Sequence, residues 1–365
     1  MTAGSVQSEK SVQLDRAGAV RVGEELDIAR VDAYVKQRIA GLEGAPTVSQ
    51  FSGGASNLTY QLSYPQRDLI LRRPPFGHKA ASAHDMLREA RIMQALKPVY
   101  PYVPQVLLTC DDADVMGCDF YVMERLVGLI PRQNLPKGLD LDEAQTRQLC
   151  VNVIDKLIEL HQVNPEAAGL NHLGKGEGFV QRQVEGWVKR YRQARTADVA
   201  DFEDVMAWLQ ANRPAKDSAT RVIHNDYRFD NVVFDPQHPL TVIGVLDWEM
   251  ATLGDPLMDL GNSLAYWVQA DDDTMFQAMR RQPTHLPGML TRQEVIEYYA
   301  EKMGFEITQF DFYRVFGLFR LAVIVQQIWY RYFHGQTTNP QFAQFGQITN
   351  YLQTRCQRFI AGALR

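Results

Sequence analysis

From residue 48 onward the chain alternates short apolar runs with longer stretches whose apolar positions recur at helical spacing. Leu58 to Leu62 and Asp68 to Arg73 predict two strands, and Phe120 to Leu126 reads as a last strand leading into Gly128. Between Asp85 and Leu96, wheel positions put Met86, Ala90, Met93 and Leu96 on one face of a helix, with Glu89 inside that apolar face. Past the last of these strands the pattern is mostly helical, from Asp142 to Gln162 to a long terminal series. Two departures break this region. Arg221 to Ile223 predicts a short strand ending in a polar loop, which feeds another strand at Val232 to Phe234. The turn cluster Asp235-Pro-Gln-His-Pro239 then predicts that Val232 to Phe234 and Thr241 to Leu246 pair as a hairpin. Val315 to Tyr330 is the most apolar stretch, but it is short and interrupted by Arg320, so it predicts a buried helix and not a membrane span.

Composition narrows the classes. A chain of 365 residues with 45% hydrophobic content can bury a large core and is expected to split into two lobes. The net charge of -5, with 43 acidic against 38 basic residues, argues against a nucleic-acid partner. Cys110, Cys118, Cys150 and Cys356 fit neither a paired framework nor a zinc spacing, and they read as free thiols of a cytoplasmic protein. Residues 1–22 are polar, lack an apolar signal core and read as a disordered lead. Gly174-Lys-Gly-Glu-Gly178 mimics a nucleotide loop but follows no strand, and no Walker A, Gly-x-Ser-x-Gly or His-Glu-x-x-His pattern occurs.

The predicted hairpin puts Asn231 at the open end of one strand and Asp247 at the open end of the other, bringing together two hard oxygen donors suited to Mg2+. Asp226 lies in the loop before them, where loops at strand ends expose catalytic groups. Phosphoryl transfer needs little more: a carboxylate to take the proton of an attacking hydroxyl, and oxygen ligands for the metal on the phosphates. An acidic turn followed by a capped helix is the bland reading of the same residues.

His224-x-Asp226-x-x-x-x-Asn231, followed by Leu246-Asp-Trp-Glu249 and Gly254-Asp-Pro-Leu-Met-Asp-Leu260, resembles the aminoglycoside phosphotransferase and choline kinase family, distant relatives of the protein kinases. The resemblance implies an α+β, bilobal protein-kinase-like fold: a small antiparallel-sheet N-lobe over residues 23–124 and a larger, mostly helical C-lobe over 125–365. It implies ATP and Mg2+ as cofactors, Asp226 as base, and Asn231 and Asp247 as metal ligands. Other parts follow from the same comparison. Ser52, Gly53 and Gly54 form a small-residue turn that either approaches the nucleotide phosphates or is an ordinary hairpin turn. Where protein kinases carry a Lys, this chain has Arg72 and Arg73; alternation puts one of them in the cleft, and Arg72, sharing a face with Ile70, is favoured. Glu89 is then its expected ion-pair partner, against a boundary carboxylate reaching solvent. Glu124 and Leu126 are the expected main-chain contacts to adenine.

Several roles stay open between two readings. Arg228 contacts phosphate or forms a structural ion pair; His224 orients its loop; Asp259 supports it. Glu249 is a helix cap or a third metal-shell carboxylate. Arg320 pairs with an acid or binds an anionic substrate group. Asp271, Asp272 and Asp273 attract a cationic substrate or are a solvated surface. The expected partner is a small-molecule hydroxyl acceptor, with no nucleic acid and no membrane, and the oligomeric state is not legible. Leu71-Arg-Arg-Pro-Pro75, Phe120-Tyr-Val-Met-Glu124 and Phe312-Tyr-Arg314 are similar to kinase-like domains fused to some acyl-CoA dehydrogenases, which suggests a hydroxyacyl-CoA acceptor; an aminoglycoside-like one is the other option. A nucleotide- or metabolite-binding regulator without turnover is the alternative class. A protein kinase ranks third, because Gly254-Asp-Pro256 follows Asp247 too closely to leave a peptide platform.

Overall fold

Five short strands order as β1-β2-β3-β5-β4 in one antiparallel sheet. They are β1 (Thr47–Gln50), β2 (Leu58–Ser63), β3 (Asp68–Arg73), β4 (Val106–Cys110) and β5 (Phe120–Glu124). The computed structural model describes residues 12, 14–51, 57–76, 85–307 and 310–364. Cα packing groups the chain into two units: residues up to Val153 with Phe229–Glu249, and Ile154–Arg228 with the residues from Met250 on.

In the first unit, β2 alternates buried and half-buried positions, as a strand with one core face should. Tyr60, Leu62, Leu69, Leu71 and Val122 form one core with Val31 and Val35 of α1 (Ile28–Lys36). Against β4 and β5 packs α2 (Met86–Leu96), started by Asp85, whose side chain accepts from Arg88 N. A short α3 (Ala113–Met116) precedes β5. Within the stretch read as a disordered lead, Gly18 exchanges two main-chain hydrogen bonds with Gln50, at 2.8 and 2.9 Å. That pairing gives the outer edge of β1 a partner, which polar composition alone does not advertise. The expected hairpin is present as β7 (Val232–Phe234) and β8 (Val242–Val245), following β6 (Arg221–Ile223) in the chain.

Helix α4 (Glu143–Gln162) begins in the first unit and ends in the second. The second unit pairs β6 with β9 (Thr252–Gly254) and is otherwise helical. Its helices are α5 (Phe179–Ala194), α6 (Glu203–Ala211), α7 (Pro256–Leu264), α8 (Thr274–Ala278), α9 (Arg292–Met303), α10 (Asp311–Phe333) and α11 (Phe345–Ile360). The apolar run that includes Arg320 is the buried helix α10, packed on α7 and α11. Among the described residues no helix is long and apolar enough to cross a membrane. All four cysteines are buried, and none forms a disulfide.

Helices α7 and α10 approach closely at Gly261 and Gly317. A Cβ on Gly317 would overlap the Gly261 carbonyl oxygen and stand 3.3 Å from Ala265 Cβ. Glycine inside a helix ordinarily costs about 1 kcal/mol relative to alanine. Here the clash is with rigid main chain, so overpacking wins, and Gly317→Ala is expected to destabilise by about 2 kcal/mol. Gly186→Ala in α5 is the control, since its Cβ would meet only the Arg190 guanidinium at 3.6 Å. Urea unfolding of both variants checks the difference in sign.

Candidate active site

Strand alternation sends Arg72, opposite Thr59 in the β2–β3 register, to the same face as Ile70. There its guanidinium bridges two carboxylates that are remote in sequence. Nη1 donates to Glu89 Oε1 at 2.8 Å, and Nη2 to Asp247 Oδ1 at 3.0 Å. Glu89 and Arg72 are buried, whereas the Asp247 side chain is 31% exposed. Burial pushes the Glu89 carboxyl up, with the Arg72 charge opposing it. Burial works against the Arg72 charge too, but Glu89, Tyr121, Asp247 and Glu249 together hold it protonated. Arg73 turns to the other face, where Nε donates to Pro74 O at 3.0 Å and the guanidinium lies 3.6 Å over Phe76.

The hairpin sets Asp247. Val232 pairs with Val245, Leu246 N donates to Asn231 O at 2.8 Å, and Trp248 Nε1 donates to Val245 O at 2.8 Å. These bonds hold Asp247 at φ 71°, a left-handed conformation that a non-glycine residue adopts at a cost of about 1 kcal/mol. Asn231 and Asp247 thereby line the same cavity as Arg72, Ile70 and Leu126, with a volume of about 190 Å³. Asp247 Oδ2 has no protein partner among the described residues, so one carboxylate oxygen and the Asn231 amide are chemically suited to a hard cation. No group of three His, Cys, Asp or Glu side chains suited to a metal occurs among the described residues. That is compatible with Mg2+, which takes few protein ligands and completes its shell with water and phosphate.

Glu124 and Leu126 also line the cavity. The Glu124 amide donates to Gln105 O at 2.9 Å, and its carboxylate takes Lys97 Nζ at 3.0 Å. The main-chain groups of Leu126 meet no protein partner among the described residues, and its side chain packs on Gly244, where a Cβ would overlap it. Ser52, Gly53 and Gly54 lie outside the described residues. Past them in the chain, Asn57 Nδ2 donates to Glu249 Oε2 at 2.7 Å, so the residue open between helix cap and metal carboxylate meets a protein amide. Sequence reasoning missed Asp15, which lines the cavity and accepts from Arg132 Nη2 at 3.0 Å. A polar residue ahead of the first strand offers no periodic signal.

The second unit holds the His-x-Asp loop. Asp259, fully buried on α7, accepts from His224 N and Asn225 N, both at 2.8 Å, and bonds His161 Nε2 at 3.1 Å. Asp255 caps this helix by accepting from Leu257 N at 2.8 Å, with Pro256 in its first turn, so the Gly-Asp-Pro segment fixes where Asp259 stands. His224 Nδ1 accepts from Asp226 N at 3.2 Å, and the Asp226 carboxylate meets Arg228 Nη2 at 3.2 Å. Arg228 also lies 4.8 Å over the Tyr266 ring. Arg320 finds a main-chain partner: Nη2 donates to Asn225 O at 2.8 Å. Of the acidic run, Asp272 is taken by Arg292 and Arg355 at 2.6 and 2.5 Å. Asp273 caps α8 and accepts from Tyr351.

Burial alone would raise the Asp259 carboxyl, yet the hydrogen bond and charge of His161 and the groups of His224 hold it below the usual carboxylate range. A depressed folded pKa means the unfolded state takes up the proton first, so this group stabilises the fold above pH ~4 and less as pH falls below that. Asp259→Asn is expected to cost on the order of 3 kcal/mol at neutral pH, because an amide sets an N–H against donors. The gap between variant and parent in denaturant unfolding should narrow on acidification below pH ~4.

A sequence model of the APH phosphotransferase enzyme family matches residues 47–294. Acyl-CoA dehydrogenase family member 10 of Mus musculus is 35% identical over 308 residues, 84% of this chain and 28% of that protein. The chain thus spans less than a third of the length of that relative. A crystal structure from Ralstonia eutropha JMP134, provisionally named an aminoglycoside phosphotransferase, is 29% identical with TM-score 0.78, covering 92% of this chain and 98% of that one. Choline kinase from Cryptosporidium parvum Iowa II, 11% identical, bears on the fold alone, with TM-score 0.62 over 92% of this chain and 97% of its own. The α+β protein-kinase-like fold and the family expected from the motifs are both found, and the chain belongs to the APH phosphotransferase enzyme family.

Proposed function

We propose that this chain transfers the γ-phosphate of ATP to a hydroxyl of a small molecule. The buried Arg72, bridging Glu89 and Asp247 beside Asn231, is the observation that carries the reading. A guanidinium already spanning two carboxylates in a cavity is pre-organised to meet phosphate oxygens without further ordering. Ser52, Gly53 and Gly54 would cover the phosphates, and the main chain at Glu124 and Leu126 would hold adenine, using the open Leu126 groups. Asn231 and Asp247 would hold Mg2+, which when bound neutralises charge building on the phosphates. Asp226 orients the acceptor hydroxyl and takes its proton; His224 fixes the loop through the Asp226 amide, and Arg228 holds the carboxylate in place and reaches phosphate. The acceptor class supported best is a hydroxyacyl-CoA or similar hydroxy acid. An aminoglycoside-like cation fits less well, because Asp272 and Asp273 are already engaged by protein donors.

Nucleotide binding is tested by thermal melting with ATP or GTP, with and without Mg2+. Ligand at a hundred times its Kd adds about 2.7 kcal/mol, which for units of this size shifts the melting point by several degrees. Mg-dependent stabilisation by ATP is expected; no shift with either nucleotide would sink the reading.

A further inference from the structure

Two arginines in the second unit stand apart from the acids that serve the others. Arg320 leaves α10, is 5% exposed, and spends one donor on Asn225 O. Its guanidinium carbon lies 5.2 Å from the centre of the Trp187 ring, and that of Arg190, three residues along α5, lies 4.6 Å from the same ring. Among the described residues neither guanidinium meets a carboxylate within ion-pair distance, and the rest of Arg320's donors have no protein acceptor. Burial and the nearness of Arg320 lower the pKa of Arg190, although Arg190 itself is exposed. By contrast Arg292 and Arg355, as deeply buried as Arg320, are neutralised by Asp272. A buried guanidinium beside a like charge and without a counter-ion costs free energy that an incoming anion would offset.

Position gives that cost a use. Asn225, which Arg320 grips, precedes Asp226 directly and sits at φ 65°, a left-handed conformation that asparagine tolerates. Its amide is held by Asp259 and its side chain donates to Met250 O at 3.0 Å. The carbonyl is the main-chain group of this residue on which Arg320 acts. We infer that Trp187, Arg190 and Arg320 form a subsite for an anionic group of the acceptor, a carboxylate or a phosphate, and that filling it positions the loop carrying Asp226. The identity of the bound molecule as acceptor rests on the phosphotransfer reading; the anion subsite itself does not. The indole face supplies an apolar wall for the chain next to the charge, while planar guanidinium forks match either anion.

The test needs no turnover. The indole N–H resonance of Trp187 in the full chain, assigned with Trp187→Phe, is followed while benzoate or phenyl phosphate is added at constant ionic strength, with benzamide as the neutral control. A saturable shift with one or both charged probes, absent with benzamide and weakened about tenfold in Arg190→Gln, is expected; which probe responds names the anion. Arg190 is exposed, so this variant is expected to fold, whereas Arg320→Gln would remove a buried main-chain contact to Asn225 O. No saturable shift with either charged probe, an equal response to benzamide, or unchanged affinity in Arg190→Gln each overturns the subsite. If the shift appears while no acceptor ever supports ADP formation, the subsite stands and the phosphotransfer reading falls.

Discussion

Asp226→Asn is expected to lower kcat by at least about a hundredfold while leaving ATP affinity within a few-fold of the parent. The substitution keeps the shape of the side chain and an oxygen for Arg228 Nη2, which lies 3.2 Å from the carboxylate. It removes the ability to accept a proton, and general-base catalysis contributes roughly a hundred- to ten-thousandfold. The loop should hold, because its geometry comes from main-chain bonds to Asp259 and from His224 Nδ1, none of which involves the Asp226 side chain. A matched fall in kcat and kcat/KM, with unchanged melting, is the signature of an interaction used in the transition state. Steady-state ADP formation with a responsive acceptor, together with calorimetric titration of ATP, measures both quantities.

The second large effect is expected at Asp247. Asparagine is the informative replacement, because it tolerates the left-handed φ of 71° that alanine would adopt only under strain. Asp247→Asn keeps an oxygen near Arg72 and Asn231 but removes the charge that suits a divalent cation. Activity is expected to drop by roughly a hundred- to a thousandfold, the scale on which a single preorganised electrostatic contact acts. The Mg2+ concentration giving half-maximal rate should rise, and Mg-dependent stabilisation by ATP should shrink. Arg72 retains Glu89 at 2.8 Å, so the fold itself should change little. A Mg2+ titration of rate and of melting point separates metal loss from unfolding.

The elements that define the site were legible because each has a local signal. An apolar run marked β3, which is buried on both faces, and strand alternation put Arg72 with Ile70; helical spacing marked α2 and exposed Glu89 as a carboxylate on an apolar face; the Asp-Pro turn marked the hairpin that brings Asn231 and Asp247 to one cavity. Contacts that join distant segments through single groups had no such signal. Among the described residues Arg320 meets no acid of the protein; its protein partner is a main-chain carbonyl, and carbonyls are the same at every position in a sequence. Glu249 meets Asn57 across 192 positions, and Gly18 edges β1 although it lies in a polar lead. The acidic run Asp271 to Asp273 reads as a solvated surface, but two of its members anchor arginines of α9 and α11. A charge run says nothing about what folds back onto it.

Acceptor-dependent ADP formation from Mg-ATP, compared between the parent chain and Asp226→Asn across hydroxyacyl-CoAs, an aminoglycoside, choline and homoserine, tests the central claim most directly. At least one acceptor, a hydroxyacyl-CoA first, should raise ADP formation in the parent and leave the variant at background. Equal ADP formation in parent and variant, or no stimulation by any acceptor in a parent saturated with Mg-ATP, would contradict small-molecule phosphotransfer through Asp226.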